Sequence, residues 1–374
     1  MPPDSVKPRR DGRVDLLRGL ALLMIFVDHI PGDDLNRFTL RNLGFSDAAE
    51  LFVLLAGFAS TMAYGGTFER EGPLATVRRV ALRCLRLYVF QVGLLLLTLA
   101  IVVAWTRHFG LVPLGMAPIL NGGFPAIWRA LLLRAQPPDL NILPLYMVLL
   151  GLFPPFYALL RARPLAAMAL SLALWLVTQV DHQFNLTNLF YGPGWFFNPF
   201  AWQFLFALGA CLALILRDGD LPRRRWLIVL AWGYLAFALI EAAPWHDWGL
   251  PDLALFPLAP PDKTALAPPR LLHVTAIVYL VLTWGGLTSA MRRGGFAPLL
   301  RLIQTCGKHS LEVFSLGTLL SLVARLSFRT YGMTEPMQVA VNGLGIGAMI
   351  CLGLALEGKR AGLAKSAVGG LRRA

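Results

Sequence analysis

Arg18 and His29 are the pair whose types and spacing invite chemistry. They bracket the apolar run in RVDLLRGLALLMIFVDHI, residues 13–30, with Asp15 near one and Asp28 beside the other. On one continuous helix they lie roughly 16 Å apart, about half the ~30 Å thickness of a bilayer core. An imidazole beside a carboxylate is a proton acceptor near neutral pH, and a guanidinium holds phosphate or carboxylate oxygens. Ionisable groups at membrane depth face a bundle interior or a water-filled cavity, because lipid does not solvate them. The same residues also carry a plainer reading, in which Arg18 snorkels to one surface and His29 ends an interfacial turn. Spacing alone weighs the two readings equally.

Positioning these groups falls to a chain built mostly of apolar runs. Of its 374 residues 56% are hydrophobic and 15% charged, with mean hydropathy +0.61. A soluble domain carries about a quarter charged residues, so this composition is that of an all-α, polytopic integral membrane protein. The net charge of +13 is spread between the apolar runs rather than gathered on one face. Membrane orientation explains that spread better than nucleic-acid binding does. Cys84, Cys211, Cys306 and Cys351 are scattered without a Cys-x-x-Cys pair, so neither a disulfide framework nor a metal site is expected. The first apolar run ends in Asp28-His29 where a cleaved signal needs small residues, and it is expected to be retained as a span.

About ten apolar runs read as transmembrane helices: 16–30, 48–64, 85–105, 142–160, 164–180, 199–216, 226–242, 271–290, 311–326 and 339–356. Residues 1–13 read as a tail, 14–358 as a single transmembrane domain and 359–374 as a basic tail. Residues 127–133, with Trp128, Arg129 and Arg134, read as a helix lying in the interface. The loop 181–198 is rich in aromatics (Phe190, Tyr191, Trp195, Phe196, Phe197), and 244–269 is rich in Pro, Trp and Asp. Ten spans return both termini to one side. On that side fall 25 of the 34 Lys and Arg, against 9 opposite, so both termini are expected in the cytoplasm.

That orientation sets Asp28 and His29 at the outer end of the first span, with Asp47 and Glu50 opening the second. Asn141 opens the fourth, Trp195, Asn198 and Gln203 lie near the start of the sixth, and Arg270 and His273 begin the eighth. The inner end holds Arg18, Arg78, Arg79, Arg83, Arg86, Arg301, Lys308, His309 and Glu312. Most such arginines enforce topology, while a subset has the charge to hold phosphates. There is no Gly-rich phosphate loop, no His-Glu-x-x-His and no Gly-x-Ser-x-Gly elbow. Asn185-Leu186-Thr187 matches a glycosylation triplet, a pattern common by chance, and Cys211 and Cys351 sit in apolar settings that disfavour the thiolate.

Asp15-Leu16-Leu17-Arg18-Gly19, followed by His29, resembles the first-span signature of the membrane-bound acyltransferase-3 superfamily. Further stretches resemble, within it, the OpgC family, which succinylates osmoregulated periplasmic glucans. They are DHIPG (28–32), FTLRNLGFSDAAELFV (38–53), LNILPLY (140–146), WFFNPFAWQ (195–203), DKT (262–264), RLLH (270–273) and HSLEVF (309–314). They run in order along nearly the whole chain. Lys308 stands where glutamine is usual, and Ala56-Gly57 where Ser-Gly is usual.

The resemblance implies transfer of a succinyl or similar acyl group from cytoplasmic acyl-CoA (succinyl-CoA) to sugar hydroxyls of periplasmic glucans, at the bacterial inner membrane and without a metal. It makes His29 and Arg18 the essential pair. Such a transfer needs a base for the hydroxyl proton and a donor or positive charge for the carbonyl oxygen. His29 then acts as general base, with Asp28, Asp47 or Glu50 holding its tautomer; an acyl-histidine intermediate is the alternative. Arg18, Arg86, Lys308, His309 and Glu312 are the expected donor-binding set. Arg41, Lys263 and Arg270 are expected to meet the succinyl carboxylate, and Asn141, Trp195, Asn198 and His273 the acceptor. An O-acetyltransferase acting on another surface polysaccharide is the alternative within the class. A proton-coupled transporter would use similar residues, but paired broken helices and repeat symmetry are not found. A scaffold without chemistry leaves the outer-end polar groups unexplained, and no oligomeric state is read from the sequence.

Overall fold

Glycine decides where the helices of this protein come closest. The computed structural model describes residues 11–371 apart from 113, 190, 191, 193, 257, 288–290 and 292, with side chains described as far as 359. Residues 1–10 and 372–374 of the expected tails, Phe190, Tyr191 and the end of the expected eighth span therefore lie outside the described residues. The helices are α1 (Gly12–Asp28), α2 (Ala48–Ser60), α3 (Gly66–Phe109), α4 (Ala117–Asn121), α5 (Gly123–Leu131), α6 (Ile142–Ala162) and α7 (Pro164–Val180). They continue with α8 (Pro199–Asp218), α9 (Arg225–Ala242), α10 (Pro268–Thr283), α11 (Ala297–Lys308), α12 (Ser310–Tyr331) and α13 (Glu335–Leu371). Among the described residues there is no sheet, only one isolated bridge between Asn188 and Gly192.

The chain divides into two units, one formed by Leu40–Thr283 and the other by Arg10–Thr39 with Trp284–Ala374. In the first, α2 packs on α8 through glycines on both sides. A Cβ on Gly57 would lie 1.9 Å from the Phe206 carbonyl oxygen, and one on Gly209 would lie 1.9 Å from that of Leu54. Small residues of this kind let helix backbones approach where lipid offers no hydrophobic drive to associate. Trp202, Tyr157, Phe153 and Leu205 are fully buried behind the crossing. Glu69 ties three helices together, accepting from Tyr157 Oη at 2.9 Å and Arg217 Nη1 at 2.8 Å, with Arg161 Nε at 3.4 Å.

The second unit repeats the device with α1 on α11. A Cβ on Gly19 would meet the Ile303 carbonyl oxygen at 2.0 Å, and one on Gly307 would meet that of Asp15 at 1.9 Å. Phe26, Leu22, Val313 and Met349 fill the interior beside it.

Much of the outside is apolar. Of the 18 residues of α9 only Ala231 and Ala238 are buried, while Trp226, Val229, Leu230 and Trp232 face outward. On α3, Leu82, Leu85, Val89, Leu96 and Leu97 are exposed. Helices apolar all round belong in lipid, and the protein is an all-α, multi-pass membrane protein.

The expected count of ten spans needs correction. Among the described residues six segments are long and apolar enough to cross a membrane: Ala48–Phe109, Ile142–Ala162, Pro199–Asp218, Arg225–Ala242, Ser310–Tyr331 and Glu335–Lys359. The expected spans 48–64 and 85–105 belong to one helical run of 62 residues. That run is broken at Gly72, whose φ of 86° lies in the region that favours glycine, and it resumes at Pro73, whose fixed φ suits a first helical turn. Arg79 bridges the break, donating to Thr67 Oγ1 at 2.5 Å and to Glu71 at 2.9 Å. Helices α7 and α10 are apolar but only 17 and 16 residues long, about 25 Å against a core of ~30 Å. Helix α1 also has 17 residues and carries Arg13, Asp15 and Arg18 in its first half. The segment 127–133, expected to be a helix, overlaps α5 as far as Leu131, and exposed Phe124 and Trp128 stack there with ring centroids 6.4 Å apart, next to Arg129.

The crossings set a stability test. Gly57→Ala and Gly19→Ala each force a methyl into a backbone carbonyl and are expected to destabilise the protein by about 1–3 kcal/mol. Gly93→Ala on α3, where a Cβ meets nothing within 4 Å, is expected to be neutral. Thermal unfolding of the detergent-solubilised variants checks the contrast, and equal melting of all three would remove the role given to the crossings.

Candidate active site

In the second unit, His29 is the residue on which α1 closes. It sits at φ −86°, ψ 3°, and its backbone N–H donates to Ile25 O at 3.2 Å. The chain then turns tightly, with Ile30 N–H donating to Val27 O at 3.0 Å and Asp33 N–H to Ile30 O at 3.3 Å. His29 is half-buried, with Nδ1 itself shielded from solvent. Asp28, also half-buried, accepts the Thr39 hydroxyl at 2.5 Å. Arg18 is half-buried on the same helix. One element thus carries Arg18, Asp28 and His29.

The junction between α11 and α12 holds a second group. Lys308 Nζ donates to Glu357 Oε1 at 2.8 Å, and His309 Nε2 lies 3.0 Å from Glu357 Oε2. His309 is buried, while Lys308 and Glu357 are partly open. Glu312 is half-buried in the first turn of α12. Glu357 escaped the reading of the sequence, although it is a lone carboxylate at the far end of an otherwise apolar last span.

The first unit gathers most of the other expected residues into one buried cluster. Asp47 N-caps α2: its Oδ1 accepts from Ala49 N–H at 2.8 Å, and Glu50 Oε2 accepts from Asp47 N–H at 2.9 Å, a reciprocal capping box. The remaining oxygens take cations. Arg270 Nε donates to Glu50 Oε1 at 2.5 Å and its Nη2 to Asp47 Oδ2 at 3.3 Å, and Lys263 Nζ donates to the same Asp47 oxygen. Burial pushes the Asp47 carboxyl up, but Lys263 and Arg270 outweigh it and hold the group below the usual carboxylate range. Lys263 also lies 5.7 and 5.5 Å from the ring centres of Phe196 and Phe197.

His273 belongs to the same neighbourhood. Its Nδ1 accepts from Ser46 N–H at 3.3 Å and lies 2.7 Å from Ser46 Oγ, which leaves the ring proton on Nε2. Asn198 caps α8 through Phe200 N–H at 3.0 Å, and its own N–H reaches Thr264 O at 3.2 Å. The Trp202 indole donates to Lys263 O at 3.1 Å. Trp195 is buried, and its carbonyl accepts from Asn185 Nδ2 at 2.8 Å, so the glycosylation-like triplet spends its amide inside the fold.

Arg41 is exposed in a short 3-10 turn, Asn141 precedes α6, and exposed Arg86 lies 5.8 Å from the Phe90 ring centre. These three are not bonded into the cluster by any of its contacts given above. Ser46 is a further member that sequence reasoning missed, since a lone serine has no signal beside Asp47 and Glu50. Among the described residues no group of three His, Cys, Asp or Glu side chains is placed to hold a metal ion.

The model of the family described as OpgC protein matches residues 10–360. The chain belongs to the OpgC family. That family lies within the acyltransferase-3 superfamily of membrane acyltransferases, and the match takes in all three groups of residues above. No curated protein and no solved structure matches the chain.

In this OpgC chain two carboxylates and two cations compensate one another out of water, so losing a single partner strands a buried charge. Arg270→Met is expected to cost about 3–5 kcal/mol of stability. The double variant Arg270→Met with Glu50→Leu is expected to recover part of the loss. Melting temperatures of the purified variants check both, and a double variant no better than the single one would show that charge pairing is not what the cluster supplies.

Proposed function

We propose that this OpgC-family protein transfers a succinyl group from succinyl-CoA at the cytoplasmic face to sugar hydroxyls of osmoregulated periplasmic glucans, with His29 as general base. The observation that carries the reading is the placement of Arg18, Asp28 and His29 on one helix of a membrane-acyltransferase family member. His29 takes the proton of the acceptor hydroxyl as its oxygen attacks the thioester carbonyl carbon. The tetrahedral oxyanion collapses, the C–S bond breaks, and the imidazolium returns the proton to the departing coenzyme thiolate. Asp28, held by the Thr39 hydroxyl, is the neighbouring carboxylate available to orient the ring.

Arg18, Lys308, His309 and Glu312 are the groups proposed to hold the coenzyme at the inner end. All lie in the unit that carries His29. The pantetheine arm then has to reach from Arg18 toward His29, roughly 16 Å along α1. Placing both termini in the cytoplasm, in the bacterial inner membrane, is supported by the Lys and Arg clustered just before the first helix and after the last apolar segment.

The test uses purified protein in liposomes, labelled succinyl-CoA and glucan acceptor, with mass spectrometry of glucans from cells. His29→Ala is expected to abolish transfer while the protein inserts and melts as wild type does. Transfer undiminished in that variant would defeat the assignment of the base. Acetyl transfer in place of succinyl transfer would correct the donor, and counterflow of an unmodified solute would replace the enzyme with a transporter.

A further inference from the structure

The turn that follows His29 is fastened to α13 by side chains, and the fastening contains an unusual pair. Asp33 and Asn342 are buried, at 3% and 8% exposure. Asn342 Nδ2 donates to Asp33 Oδ1 at 2.8 Å. Their other oxygens, Asp33 Oδ2 and Asn342 Oδ1, are buried acceptors that meet no donor among the described residues. An ionised carboxylate in this setting leaves two acceptors unmet, which is costly away from water. A carboxylic acid does not: a proton on Oδ2 makes that oxygen a donor, and an acid facing an amide then offers a donor and an acceptor on each partner.

The surroundings favour the neutral form. Asp33 caps the 3-10 turn Asp34–Phe38, accepting from Leu35 N–H at 3.3 Å. Asp34 N–H donates to Gln338 Oε1 at 2.7 Å, while the Asp34 carboxylate pairs with Arg37 at 2.8 Å on the exposed side. Helix α13 thus presents Asn342 and Gln338, both uncharged, and the connection before it presents Met333, packed against Gly32. Helix α1 presents His29 and Asp28, the latter accepting from Thr39. Burial raises the Asp33 carboxyl above its ordinary range, outweighing the hydrogen bonds from Asn342 and Leu35, and neighbouring Asp34 adds to the rise.

We propose that Asp33 is carried as a neutral carboxylic acid, paired edge to edge with the Asn342 amide, and that this pair is the positioning element for His29. The positioning part rests on the reading of His29 as general base. Asp33 and Asn342 act through the backbone: the pair fixes Asp33, Asp33 N–H fixes Ile30 O, and Ile30 N–H fixes the end of α1 where His29 stands. The sign of the pH response follows. The pair is whole below the ordinary carboxyl range and is lost as pH rises through the raised Asp33 value, because ionisation removes its second donor.

Infrared difference spectroscopy of the purified full chain across a pH titration reads the proton directly. A protonated-carboxyl band that is absent from Asp33→Asn supports the proposal, and its absence from the wild type overturns it. Asp33→Asn supplies an amide N–H where the acid supplied O–H, so it is expected to keep turnover and to lack the alkaline fall expected of the wild type. Asn342→Leu is expected to lower kcat roughly tenfold or more with KM for the acyl donor little changed. If Asp33→Asn loses as much as Asn342→Leu, Asp33 works ionised and the acid–amide pair is wrong. If both variants keep wild-type turnover and pH profile, the positioning role falls. If the wild type transfers no acyl group, the reading of His29 fails, while the band and its loss in Asp33→Asn still support the pair.

Discussion

Charge taken out of water must be matched inside the protein, and the polar architecture of this chain follows from that constraint. Asp47 and Glu50 spend half their oxygens capping α2 and the other half on Arg270 and Lys263, partners more than 200 residues away in sequence. Each pairing converts a cost of burial into a tie between distant segments, because neither side can leave without stranding the other. Glu69 links α3, α6 and α8 through Tyr157, Arg161 and Arg217 at a more open site, its side chain 31% exposed. Glu357, itself 40% exposed, links α13 to the α11–α12 junction through Lys308 and the buried His309. A membrane bundle gains little from hiding apolar side chains, since lipid accepts them, so such ties carry specificity that a soluble core would obtain from burial.

Close packing is the complement of these ties. Both units contain a crossing in which a glycine on each helix faces the partner's carbonyl, Gly57 with Gly209 and Gly19 with Gly307. Backbones at this separation exchange dispersion contacts along several turns, and no larger side chain fits between them. The same close approach places Arg18 one residue from a crossing glycine, so the helix that carries Arg18 and His29 is held in its N-terminal half by packing. Its C-terminal end is held by the hydrogen-bonded turn after His29.

Much of this was legible in the sequence, and the limits have physical causes. Composition identified a membrane protein and its long apolar runs an all-α one, and the runs 142–160, 199–216, 226–242, 311–326 and 339–356 fall within the helices observed. Hydropathy measures how apolar a run is, but it does not say where a helix ends. The basic stretch 65–84 reads as a connection between spans, yet helix continues on both sides of Gly72-Pro73, so two expected spans join in one run. Helix α7, and α10 beyond Arg270 and His273 at its start, are apolar but too short by length to count. Asp47, Glu50, Arg270 and His273 stood out because charge and imidazole are rare in such runs. Their bonds to one another, and to Ser46 and Lys263, were not visible, because pairing over long separations depends on how helices pack.

Helix ends explain why the candidate chemistry lies where it does. Within an apolar helix every backbone group is satisfied and a polar side chain has no local partner, whereas a terminus leaves several N–H or C=O groups exposed and lets the chain change direction. His29 ends α1, Asp47 begins α2, Asn198 begins α8, and His309 lies between α11 and α12. Each of these residues therefore has both a polar surrounding and a fixed backbone, the two conditions a reacting or orienting side chain requires. A side chain at a helix end is only as well placed as the turn beyond it. For His29 that turn is short, contains Pro31 and Gly32, and is anchored by bonds from Asp33 and Asp34 to α13. The geometry of the imidazole is thus set by residues that the chain places more than 300 positions away, a dependence no local reading of the first span contains.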